Sequence, residues 1–115
     1  MRVLVTGGRN YTDRERLYAV LDRLHREAWI DCLIQGGANG ADKLAREWCE
    51  DRRVQYENYP ADWESHGSFA GPMRNKQMLD EGRPHSVIAF PGGRGTADMV
   101  RKARKAGVEV IEIAP

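Results

Sequence analysis

The sequence predicts an α/β fold, a single Rossmann-like three-layer sandwich around a five-stranded parallel sheet ordered 3-2-1-4-5. Three observations predict it. Short apolar runs alternate with amphipathic stretches of helical length from one end of the chain to the other. Each crossover is long enough for a right-handed β–helix–β connection, which makes successive strands parallel. Three of the strand-like runs end in glycine-rich turns, and in a parallel sheet those turns share one edge. A chain of 115 residues fits one domain and leaves no room for two.

The first strand is Val3-Leu4-Val5, closed by Thr6-Gly7-Gly8. Thr12 with Glu15 three residues on has the pattern of a capping box and opens the first helix. Leu17, Val20, Leu21, Leu24 and Ala28 repeat at helical spacing, with Arg16, Asp22, Arg23 and Arg26 on the other face. Asp31 to Gln35 forms the second strand, ended by Gly36-Gly37. Ala41, Leu44, Ala45 and Trp48 mark the second helix. Val54-Gln55-Tyr56 is polar enough for an edge strand. Pro60 to Ser68 reads as an irregular stretch, and Pro72 suits the first turn of a third helix running to about Leu79. Ser86 to Phe90 is the most apolar strand, followed by Pro91-Gly92-Gly93-Arg94-Gly95-Thr96. The fourth helix runs to Gly107, a C-terminal cap, and its last turns carry Arg101, Lys102, Arg104 and Lys105, which complement the helix dipole. Val108 to Ile113 is the last strand.

Hydrophobic residues make up 41% and charged residues 30%, a balance that builds a core and excludes a disordered chain. A formal net charge of +1 argues against a broad basic face for nucleic acid, though not against a local basic pocket. Cys32 and Cys49 form no CxxC pair and have no histidine cluster beside them, so they read as structural thiols, with no metal site or disulfide framework. No apolar run approaches membrane-spanning length, and MRVLVTGG leads straight into a strand; a cytoplasmic location is the expectation.

In the order 3-2-1-4-5, the strands ending in Gly7-Gly8, in Gly36-Gly37-Ala38-Asn39-Gly40-Ala41-Asp42 and in Pro91 to Thr96 are neighbours, so their turns meet at the topological switch point. Glycine lets backbone approach a ligand, and each turn leads to a helix N-terminus whose free N–H groups favour an anion. One such turn is ordinary strand-to-helix geometry; three together point to a phosphate-bearing ligand. The chain has no GxxxxGK[ST], which argues against a P-loop ATPase, and Gly7-Gly8-Arg9-Asn10 is not GxGxxG, which weakens a dinucleotide oxidoreductase.

Pro91-Gly92-Gly93-Arg94-Gly95-Thr96 resembles the PGGxGT signature of the SLOG superfamily, which includes the LONELY GUY phosphoribohydrolases, also known as lysine-decarboxylase-like proteins. The wider set is similar to the YspA-like branch: Thr6-Gly7-Gly8-Arg9, Gly36 to Asp42, Pro60-Ala61-Asp62-Trp63, Ala70-Gly71-Pro72-Met73-Arg74-Asn75 with Met78, and Phe90 to Thr96. The resemblance covers nearly the whole chain. It implies a site for a nucleotide or nucleotide-like ligand and suggests a homodimer. Within the superfamily some members hydrolyse a base–ribose bond, some sense nucleotide signals and one branch handles single-stranded DNA, so the reaction stays open. LONELY GUY-type enzymes extend the signature to PGGxGTxxE with a catalytic glutamate; here that position is Met99. Asp98 sits one residue earlier, turned by roughly 100° on a helix, and reads as dipole complementation.

Within that frame, Arg74 with Asn75 beside it is placed to clamp a phosphate, and Arg9 to reach the same anion. Thr96 either bonds a phosphate or caps the fourth helix. Asp42 and Asp62 are candidates for ribose hydroxyls or for a base, Asp42 alternatively complementing a helix dipole. Trp63 either stacks on a base or anchors the loop. His66 is the histidine expected on the functional edge. The expected ligand-binding set is therefore Thr6, Gly7, Gly8, Arg9, Gly36, Gly37, Ala38, Gly40, Asp42, Asp62, Trp63, Arg74, Asn75, Pro91, Gly92, Gly93, Gly95 and Thr96, with no metal and no cofactor. Two function classes follow: a binding or sensing domain for a nucleotide-derived small molecule, or a hydrolase or transferase acting on the N-glycosidic bond of a nucleoside monophosphate. A nucleic-acid partner is disfavoured by charge.

Overall fold

A computed structural model describes residues 1–115. Five strands, β1 (Arg2–Thr6), β2 (Cys32–Gln35), β3 (Gln55–Asn58), β4 (Ser86–Ala89) and β5 (Glu109–Glu112), form one sheet ordered β3-β2-β1-β4-β5. Every neighbouring pair is parallel. The helices are α1 (Arg14–Ala28), α2 (Ala41–Arg52), α3 (Trp63–His66), α4 (Ala70–Gly82) and α5 (Arg94–Lys105).

Strand alternation sorts the core into two layers. Val3, Val5, Leu33 and Ile88 face one way and pack with Leu17 and Leu21 of α1 and Ala45 and Trp48 of α2. Leu4, Ile34 and Val87 face the other way, onto Met78 of α4 and Met99 and Ala103 of α5. The central strands β1, β2 and β4 are apolar because both faces are covered; β3 and β5 keep their polar residues at the exposed edges.

The structure moves some boundaries. Asp13, not Thr12, caps α1: its carboxylate accepts from the Arg16 N–H at 3.1 Å, so the capping box does not form. Pro60 to Ser68 is not wholly irregular. Asp62 caps the short α3, and a 3₁₀ turn over Gly67–Phe69 leads into α4. The third long helix starts at Ala70, two residues before Pro72, and ends at Gly82 rather than Leu79. Pro72 is tolerated there because N–H groups of a first turn have no intrahelical acceptor. Cys32 and Cys49 are both buried and free, and burial pushes the Cys49 thiol up to about 12. No helix is long and apolar enough to cross a membrane.

Candidate functional site

The carboxyl ends of β2, β1 and β4 lie side by side, and their glycine turns are stitched together. The Gly8 N–H donates to the Pro91 carbonyl at 2.9 Å, while the Gly8 carbonyl accepts from Tyr11 at 3.2 Å and from Ala41 at 3.1 Å. Close approach explains the glycines of this seam. A Cβ on Gly7 would lie 2.6 Å from Cβ of Ala41, and one on Gly92 would lie 2.7 Å from the Gly8 nitrogen. Gly40 has a φ of 75°, and its Cβ would run into the Gly8 carbonyl. Gly93 and Gly95 differ: a Cβ on either meets no atom within 4 Å. Packing does not require them to be glycine.

Those two residues border a cleft of about 890 Å³ over the switch point. Thr6, Gly7, Gly8, Arg9, Ala38, Asp42, Trp63, Arg74, Asn75, Pro91, Gly92, Gly93, Gly95 and Thr96 all line it. The N-terminus of α5 opens there behind Gly93 without a side-chain cap, so Thr96 does not serve as the cap. The cleft also takes in residues outside the expected set, notably Tyr11, Gly71, Arg94 and Asp98. Arg94 is the variable position of the PGGxGT run. Tyr11 is carried by its packing on Phe90, ring centroids 5.4 Å apart, a tertiary contact with no local signal.

Arg74 lies at the cleft floor. Its Nη1 donates to the Gly36 carbonyl at 2.7 Å, and its Nε donates to the Asn75 side-chain oxygen at 3.2 Å. Asn75 is buried, and its Nδ2 donates to the Gly95 carbonyl at 3.1 Å and to Asp98 at 3.0 Å. Asp98 also accepts from Lys102 at 2.8 Å and Arg101 at 2.7 Å. Burial works to raise the Asp98 pKa, but bonds from Lys102 and Asn75 and the charges of Lys102 and Arg101 outweigh it and hold the carboxyl below its ordinary value. Asp98 is thus tied to α4 and to the next turn of α5, and its role goes beyond dipole complementation. Met99 points into the core and is fully buried.

Asp42, on the first turn of α2, is 7% exposed and accepts from the Ala38 N–H at 3.3 Å. Burial pushes its carboxyl up to about 6, against the pull of the Ala38 N–H and of Arg74. An unfolded aspartate titrates near 3.9, so between about pH 4 and 6 the folded state holds the extra proton and stability falls as pH rises. The full loss, present above that window, is about 3 kcal/mol. Asp42→Asn, which keeps an acceptor for Ala38, is therefore expected to raise the melting temperature at pH 7.5 and to flatten its fall between pH 4.5 and 7.5. An unchanged slope in thermal melts would show that Asp42 does not titrate in this way.

Trp63 is half-exposed at the rim, with the Arg9 guanidinium 5.0 Å over its ring. It covers α4 closely enough that a Cβ on Gly71 would lie 3.3 Å from its edge. A second cavity of about 330 Å³ adjoins, and Gly36 and Gly37 line that one. Gly40 and Asp62 line neither. Asp62 accepts from the Ser65 N–H at 3.1 Å, and bonds from Ser65 hold its pKa low. His66 is exposed and lies outside both cavities. No group of three or more His, Cys, Asp or Glu is arranged to hold a metal ion.

The chain is 42% identical over 118 residues to the Gene 61 protein of Mycobacterium phage D29, an alignment covering 96% of this chain and 94% of that one. Its fold matches that of DNA processing protein A from Streptococcus pneumoniae with a TM-score of 0.81 at 17% identity, covering 99% of this chain and 50% of that one. It therefore spans about half the length of that solved chain. The model of the YspA, cpYpsA-related SLOG family matches residues 1–66. Through that match and the phage relative, the protein with this glycine-seamed cleft belongs to the YspA, cpYpsA-related SLOG family.

Proposed function

We propose that the cleft binds the phosphate end of a nucleotide-derived small molecule and does not cleave it. One observation carries this reading above the rest: Gly93 and Gly95 border open space at the uncapped N-terminus of α5. Their missing side chains serve no packing need, and free N–H groups at a helix start favour an anion. Charge supports it. Arg9, Arg74 and Arg94 line the cleft and make no ion pair, whereas Asp98 is neutralised by Arg101 and Lys102. Basic side chains gathered in a pocket, on a chain with net charge +1, suit a small anion better than a nucleic-acid surface.

The cleft lacks the signature carboxylate of N-glycosidic hydrolysis, and the remaining candidate that lines it, Asp42, is 7% exposed and held by the Ala38 N–H. An oxocarbenium-like transition state needs a carboxylate nearby. The position where the LONELY GUY-type signature places it is Met99, buried in the core, and the neighbouring Asp98 is already engaged by three donors. Sensing or carriage of the ligand fits better than turnover.

The test is a thermal-shift titration. AMP or ADP-ribose at about a hundred times its dissociation constant is expected to raise the melting temperature by on the order of 10 °C. Adenosine, lacking the phosphate, is expected to do much less, and the nucleotide is expected to come back with no free base. Folded protein that no nucleotide stabilises would overturn the reading; steady release of base would replace binding with hydrolysis.

A further inference from the structure

The two cavities are not separate sites. They share Arg9, Ala38, Trp63 and Arg74, and the Arg9 guanidinium resting on Trp63 stands at their common boundary. Their charges differ. Asp42 and Asp98 line only the larger cleft, while no acidic side chain lines the smaller one, which has the two arginines alone. Arg74 keeps a free donor: Nη1 and Nε are engaged, whereas Nη2 has no acceptor in the protein. Arg9 makes no hydrogen bond and no ion pair; its contact with Trp63 is a cation–π one, worth roughly 1 kcal/mol at an exposed site. Burial lowers the Arg74 pKa against the pull of Asp42, and Arg9 nearby lowers it further, a repulsion that a bound anion would relieve.

We propose that the smaller cavity is a second anion subsite continuous with the first, so that the ligand is a nucleotide bearing two phosphate groups, one at the start of α5 and one between Arg9 and Arg74. The proposal rests on the nucleotide-binding reading above and narrows it to a ligand class. A volume of about 330 Å³ is ample for a phosphate and the group attached to it. Guanidinium groups suit a phosphate because they present paired N–H donors. The second phosphate can be adjacent to the first, as in ADP, or carried on the ribose, as in adenosine 3′,5′-bisphosphate; the chemistry asked of the subsite is the same.

The experiment is isothermal titration at one fixed salt concentration with AMP, ADP and adenosine 3′,5′-bisphosphate. At least one of the two doubly phosphorylated compounds is expected to bind about tenfold tighter than AMP or better, the scale of one charge-assisted contact. Two variants test where that advantage arises. Ala61→Glu puts a carboxylate into the smaller cavity, and Arg9→Gln removes a charge from a side chain with no structural hydrogen bond. Each is expected to bring the affinity ratio toward one. A ratio near one in the parent protein, or a ratio that survives in both variants, would overturn the second subsite while leaving the binding of AMP in place. If none of the three compounds binds to folded protein, the nucleotide reading falls and this one with it.

Discussion

Gly93→Val is expected to give a folded protein that no longer takes a nucleotide, with affinity down about a hundredfold or more. The two halves of that expectation come from different measurements on the same residue. A Cβ on Gly93 meets no protein atom within 4 Å, so packing leaves room for a side chain there. The isopropyl group would instead occupy the space in front of the first N–H groups of α5, where the phosphate is proposed to sit. Losing hydrogen bonds to a charged group at about 1.5–3 kcal/mol each reaches a hundredfold with two of them. Melting temperature and nucleotide titration on the same preparation settle it. A variant as stable as the parent that binds AMP equally well would remove the start of α5 from the site.

Gly40→Val is expected to do the reverse and to damage the fold. Here φ is 75°, a region that a β-branched residue enters with strain, and the new Cβ would press on the Gly8 carbonyl and on the backbone of Arg9. The conformational cost of about 1–2 kcal/mol adds to an overpacking cost of about 1–3 kcal/mol. The neighbouring strand end is itself backbone and has no side-chain rotamer to give. A combined loss of about 2–5 kcal/mol is a large share of the stability of a small domain. Urea denaturation would measure it, and a midpoint equal to the parent's would mean that the two turns do not press on each other as described. Gly93 and Gly40 entered the sequence reading with the same weight, as members of one glycine-rich ligand set. The structure separates a glycine needed for packing from one that packing leaves free.

That pair also shows what the sequence could and could not reveal. The strand order was legible because it follows from alternation and handedness, both written in the hydrophobic pattern. Val3 and Val5 against Leu4, and Leu33 against Ile34, are the two faces of the sheet read directly as alternation. The meeting of the three turns followed from that order. The side chains at the rim were harder. Asp62 looked like a candidate acid because a loop aspartate beside a tryptophan has no pattern to mark it as a cap; the four-residue helix it caps is too short to leave a periodicity. Asp98 was read as a dipole partner, and its tie to Asn75 joins residues 23 positions apart, beyond the reach of any local rule. Tyr11 was missed for the same reason, since its place is set by Phe90 across the sheet. Arg74 and Asn75 were recoverable from the motif around them, but the burial that fixes the Arg74 guanidinium against the Gly36 carbonyl belongs to the folded chain.

The stitching at Gly8 bears on how tightly such a small protein could hold the proposed ligand. Because that one peptide is bonded to the turns on both sides of it, opening any one loop breaks a backbone hydrogen bond to its neighbour, Gly8 to Pro91 or Ala41 to Gly8. A binding loop that is loose in the free protein loses entropy when the ligand arrives, and that loss comes out of the affinity. Here the backbone part of the loss has already been incurred in folding. What the proposed ligand would still have to order is the side chains that the protein holds by no hydrogen bond, Arg94 and the Arg9 arm lying 5.0 Å over Trp63.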